Sequence, residues 1–125
     1  MSEDKVEDKV VGIVAYLSLI GFIIALVLNN DKKGADKEFG SFHLRQSLGL
    51  IIASIGLFIA YAIISAILLA IGPFFLFIAS FLYLIIVLAI LALVIVGIIN
   101  ASNGEKKELP IIGKYASDIL KNTFN

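Results

Sequence analysis

His43, Arg45 and Gln46 stand together in the stretch FHLRQSLGL, residues 42–50, at the edge of a long segment without charge. Three kinds of chemistry are open to such a group. A histidine has an ordinary pKa of about 6.5 and can sense pH. An arginine can hold a phosphate or carboxylate, and all three side chains can satisfy stray backbone groups. Catalysis is not among them. The chain has one histidine and no cysteine, which excludes a multi-histidine or thiolate metal centre. No nucleophile–base pair, Gly-rich phosphate loop or metal-ligand spacing is present. No catalytic, cofactor-binding or metal-binding residue is assigned, no cofactor is implied, and the chain is read as non-enzymatic.

The elements that must position these residues belong to a membrane. Sixty per cent (60%) of the 125 residues are hydrophobic and 16% are charged, with a mean hydropathy of +1.03. A soluble domain is less apolar and more charged. The formal net charge is zero, so no attraction to nucleic acid is implied. The run from Val10 to Leu28 spans roughly 28 Å as a helix, close to the thickness of a hydrocarbon core. A second run from Leu48 to Ile99 holds no ionisable acid or base and is about twice the length that one crossing needs. Gly72-Pro73 divides it, a glycine able to close one helix in the left-handed conformation and a proline suited to open the next. Backbone in lipid must satisfy itself, which leaves helices. The reading is one all-α integral membrane domain, residues 1–125. It has spans over about 10–28, 48–71 and 73–99, a polar loop over 29–47 and a tail over 100–125. In the tail, Tyr115, Ile119 and Leu120 mark one side of a short interfacial helix.

Lysine and arginine set the expected orientation. The loop carries Lys32, Lys33, Lys37 and Arg45, and the tail carries Lys106, Lys107, Lys114 and Lys121. Lys5 and Lys9 are outnumbered by Glu3, Asp4, Glu7 and Asp8. Three spans then place the N-terminus outside and the C-terminus in the cytoplasm of a bacterial or archaeal cytoplasmic (inner) membrane. Helices in lipid associate through small residues, and Gly49, Ala53, Gly56 and Ala60 form such a seam on the second span. Gln46 continues the seam at the cytoplasmic edge. Arg45 and Gln46 are therefore expected to bond helix-end carbonyls or amides near Asn29-Asn30 or Asn100 to Asn103. The alternative for Arg45 is snorkelling to lipid phosphate. His43 is read as a structural hydrogen-bonding residue.

FHLRQSLGLII, followed by an apolar helix pair that ends in GIINASNGEKKELPIIGKYA, resembles a family of small membrane proteins. These are related to the twenty-kilodalton subunit of the chloroplast inner-envelope import translocon. The resemblance rests on His43, Arg45 and Gln46, then Asn100, Asn103, Gly104, Pro110 and Gly113. It implies a polytopic protein working beside other subunits and supplies no catalytic residues. The leading expectation is a non-catalytic subunit or accessory protein of a larger membrane complex, its partners being the bilayer and other membrane subunits or further copies of itself. The alternatives are a homo-oligomeric channel or translocation component, with Ser54, Ser65 and Ser80 lining water, and a lipid-interacting protein.

Overall fold

The structure, a computed structural model, describes residues 6–124. Glu3, Asp4 and Lys5, which enter the charge balance above, lie outside the described residues. All regular structure among the described residues is helical. In chain order the helices are α1 (Val10–Ala15), α2 (Leu19–Asn29), α3 (Gly34–Ile71), α4 (Leu76–Ser102) and α5 (Gly113–Ile119), with a 3-10 turn at Pro73–Phe75 between α3 and α4. Pro73 opens that turn, as its fixed φ favours. Gly72 is extended, with φ 174° and ψ 152°, rather than left-handed.

Two helices among the described residues, α3 and the Pro73–Ser102 segment, are long and apolar enough to cross a membrane. The expectation of three spans is corrected at the first run, which is not one helix but two short ones folded against each other. Its hinge is Tyr16-Leu17-Ser18. Ser18 is extended, and its hydroxyl accepts a hydrogen bond from the Gly21 backbone N–H at 3.1 Å, so it caps a new helix in the middle of an apolar run. Gly21 lets the two arms meet, because a Cβ there would lie 2.5 Å from the Val14 carbonyl oxygen. On α2, Gly21, Phe22, Ala25 and Asn29 are buried while Ile20, Ile23, Ile24 and Val27 are exposed. One face thus meets protein and the other meets lipid.

The hairpin returns the chain to the end from which it came. The backbone N–H groups of Glu7 and Asp8 donate to Asp36 Oδ1 at 3.0 and 3.2 Å, and Lys32 pairs with Asp8. Lys9 lies against Gly104 just past α4. Residues 7–9, the 30–33 connection and the C-terminal segment therefore share one end of the molecule, contrary to the expected placement of the N-terminal side and the tail at opposite ends. The connection is also shorter than expected, since α3 begins at Gly34 and carries residues 34–47 as helix.

The core lies at that end too. Val11, Ala15, Phe22, Ala25 and Leu44 form one cluster, and Tyr16, Phe39, Leu50, Ala101 and Leu109 form another. Between residues 51 and 96 only Ala79 is buried. There α3 and α4 run as a bare pair, linked by the Tyr61 hydroxyl donating to the Ala79 carbonyl at 3.0 Å and by the Tyr83 ring beside Phe58 and Tyr61.

Two predictions follow from this packing. A Cβ on Gly97 would overlap three ring carbons of Tyr16, whereas one on Gly56 would meet nothing within 4 Å. Gly97→Val should therefore lower the melting temperature in detergent, at a cost of about 1–3 kcal/mol, while Gly56→Val leaves it unchanged. Equal melting of the two variants would contradict the hairpin's placement. The second prediction concerns Asp8, whose carboxyl is held below its usual range by the Lys32 hydrogen bond and by the Val10 backbone N–H. A depressed folded-state pKa stabilises above the unfolded value and loses that effect as pH falls through the folded one. Hydrogen-exchange protection around residues 7–10 should hold from about neutral to about pH 5 and fall only under stronger acid.

Candidate functional site

Four polar side chains between residues 41 and 47 of α3 face inward rather than into water. Ser41, His43, Gln46 and Ser47 are all buried, His43 and Gln46 completely so, with 0% exposure. A buried polar group without a partner costs about 1–3 kcal/mol. Ser47 donates to the Leu44 carbonyl of its own helix, and the other three have partners in the hairpin or the C-terminal segment.

His43 joins the hairpin to the C-terminal segment. Its Nε2 lies 2.8 Å from the Glu105 carbonyl and its Nδ1 lies 2.6 Å from the Tyr16 hydroxyl. A carbonyl only accepts, so Nε2 carries the proton. In the neutral ring Nδ1 then accepts from Tyr16. Three aromatic rings, Tyr16, Phe39 and Phe42, meet the imidazole edge-on at 4.6 to 5.5 Å. Such a cage favours the neutral ring and leaves it no free nitrogen. That is the geometry of a structural histidine.

Gln46 uses both ends of its amide on the C-terminal segment. Nε2 donates to the Gly113 carbonyl at 2.9 Å and to the Ser117 hydroxyl at 2.8 Å, while Oε1 accepts from the Leu109 backbone N–H at 2.9 Å. Arg45 Nη1 donates to the Thr123 carbonyl at 2.9 Å, and the Ser41 hydroxyl donates to the Phe124 carbonyl at 2.5 Å. Asn29, at the end of α2, donates to the Ser41 hydroxyl at 3.1 Å. The side chains of one short stretch of α3 thus fasten the chain from Glu105 to Phe124 as a strap and reach the tip and the base of the hairpin as well.

The expected partners of Arg45 and Gln46 were helix ends near residues 29–30 and 100–103. The partners observed lie further along the chain, in the strap. Asn100 and Gly104 instead shape the strap's start. The Asn100 carbonyl accepts from the Glu105 N–H at 2.9 Å, its amide donates to the Lys107 carbonyl at 3.4 Å, and Gly104 takes φ +71°. Asn103 is exposed just past α4 and stays out of the network. Pro110 is exposed, and its carbonyl accepts from the Ile112 N–H at 2.7 Å across Ile111. Gly113 is buried against Gln46 and Glu108.

The small-residue seam divides. Gly49 meets Ala116 of α5, where a Cβ on the glycine would be 2.5 Å from that of the alanine. Ala53 flanks the same contact, and Gly56 and Ala60 are exposed. The hydroxyls of Ser54 and Ser65 return to carbonyls of their own helix, Leu50 and Ala62. Tyr16, Ser18, Ser41 and Ser117 were not singled out from the sequence. Ser18 carried a signal nonetheless, a capping residue three positions before Gly21 inside an apolar run. Among the described residues no three His, Asp or Glu side chains converge as metal ligands would.

The Magnetosome magnetite crystal formation protein family (MamF/MmsF) matches residues 7–116. The chain belongs to this family, and the resemblance to the translocon-related family is overturned by that match. The motif residues quoted for the resemblance are mostly those that hold or shape the strap, so they report how this fold closes. No characterised protein and no solved structure matches the chain.

Gln46 provides the test of this network. Gln46→Leu removes three hydrogen bonds of about 1 kcal/mol each and strands their buried backbone partners. Limited proteolysis should then cut between residues 104 and 112 faster than in the parent protein, and the melting temperature should fall. Arg45→Ala, at a half-buried position, should do less. Cleavage at the parent rate in Gln46→Leu would refute the strap.

Proposed function

We propose that this member of the MamF/MmsF family serves crystal formation as a small non-catalytic accessory protein, acting from within the membrane with its charged end in the cytoplasm. One observation carries the reading. Every charged side chain among the described residues belongs to the end that holds the hairpin base, the 30–33 connection and the strap, and the opposite end is the charge-free turn Gly72–Phe75. Lysine and arginine favour the cytoplasmic side. In that orientation the far side presents the exposed rings of Phe74 and Phe77 and, among the described residues, no carboxylate with which to hold iron. The polar residues that looked able to do chemistry are occupied with the protein's own backbone. What remains for a partner is packing. The exposed Gly56–Ala60 part of the seam permits close approach of a helix from another subunit or a second copy. Two of the three serines that would line a pore, Ser54 and Ser65, are bonded to their own helix, which disfavours a channel.

The orientation is testable because the chain has no native cysteine. Glu7→Cys, Lys121→Cys and Phe74→Cys, placed singly, are exposed to a membrane-impermeant maleimide in intact cells with permeable outer layers. Only position 74 should react before the inner membrane is opened, and positions 7 and 121 should react only afterwards. Reaction at 7 or 121 in intact cells would reverse the assignment.

A further inference from the structure

The distribution of mass across the bilayer is uneven. In its charged half the molecule holds α1, α2, α3 and α4 side by side. The hairpin tip, Tyr16 to Leu19, stops beside Leu50 and Ser54 of α3 and Val94 of α4. The longer arm, α2, has 11 residues and so reaches about 16 Å, well short of a 30 Å core. From Ser54 to Ile71 the pair continues alone for about another 25 Å, with almost nothing buried. The strap widens the near half further. Its α5 lies against Gly49 and Ala53, where the charge-free part of α3 begins, and turns an apolar ridge outward. In that ridge Ile111 is 86% exposed, Tyr115 64% and Ile119 76%. Ile111 holds φ +69°, a conformation that is costly for a β-branched residue. Its side chain projects from the strap instead of covering the core.

We propose that the fold is a wedge whose partner is a curved bilayer, with the charged end on the convex face. The observations leave lipid as the occupant of this surface. The exposed side chains of the hairpin (Ile20, Ile23, Val27) and the ridge are apolar and continue the lipid-facing surface of α3 at Ile52 and Ile55. A body with four helices and an interfacial strap in one leaflet, and two helices in the other, expands the first leaflet relative to the second. The bilayer relaxes by bending toward the wider side, and the protein concentrates where that bend already exists. The inference rests on the proposed orientation for its cellular meaning. With the charged end cytoplasmic, the favoured curvature is that of a bud or vesicle whose convex face looks into the cytoplasm.

The test uses the full chain in giant vesicles of phosphatidylcholine and phosphatidylglycerol, from which a narrow membrane tube is pulled. A dye on Lys121→Cys and an impermeant external quencher separate molecules whose charged end faces outward from inverted ones. Outward-facing molecules should be about twofold or more denser on the tube than on the vesicle, the reading expected of a modest state preference, and inverted molecules should be depleted. Equal density for both populations overturns the wedge. The combined variant Ile111→Asn, Tyr115→Ser and Ile119→Ser changes only exposed side chains, and asparagine tolerates the left-handed backbone. It should keep the parent melting temperature and lose part of the enrichment. Full enrichment in the variant would remove the ridge from the wedge. The tube reads shape for either insertion, so its failure leaves the cytoplasmic assignment standing, and reversed maleimide labelling would leave the wedge standing.

Discussion

A polar group taken out of water must be given a partner, and the near end of this protein is arranged around that requirement. Turning the first apolar run back on itself and laying a largely irregular strap over the bundle both break regular backbone pairing close to the apolar helices. Neither is tolerable unless the freed groups are satisfied within the protein. Ser41, His43, Arg45 and Gln46 of α3 supply the partners, and through Tyr16 and Asn29 they reach both ends of the hairpin. One helical stretch therefore fixes three separate segments. Gly97 and Gly49 matter for the same reason, since they let Tyr16 and Ala116 come close enough for those bonds to form.

The charge-free run made the two long helices legible, because an uninterrupted apolar sequence of that length suits helices that cross a bilayer. The Gly72-Pro73 break was legible for a similar reason, there being no other place to turn. The inward role of Gln46 could be read from its register with Gly49. The hairpin could not be read from length, since Val10 to Leu28 has the right extent for one crossing, and hydropathy does not record direction. Ser18 was the local sign of the break, and its weight depended on a tertiary fact, the docking of Tyr16 against Gly97 and His43. The strap partners were illegible for a different reason. Gln46 meets residues more than sixty positions away in sequence, and only the folded chain brings the two together.

Folding the first run back as a hairpin changes what the charges mean. With three crossings they were divided between the two sides. With the hairpin they are gathered on one side, and the opposite end is left with phenylalanines. For a member of a crystal formation family this separation matters physically, because the carboxylates of the described residues lie at the end opposite the charge-free turn. A role through packing and membrane shape needs no ligand on the far side, and the narrow two-helix half of the molecule is consistent with that division.

The central claim is that the hairpin brings the N-terminal residues back to the strap. Electron paramagnetic resonance between spin labels at positions 9 and 106, in the protein reconstituted in bilayers, measures this directly. The account predicts a separation below about 25 Å, and a value at or above the roughly 40–45 Å of a full bilayer would contradict it.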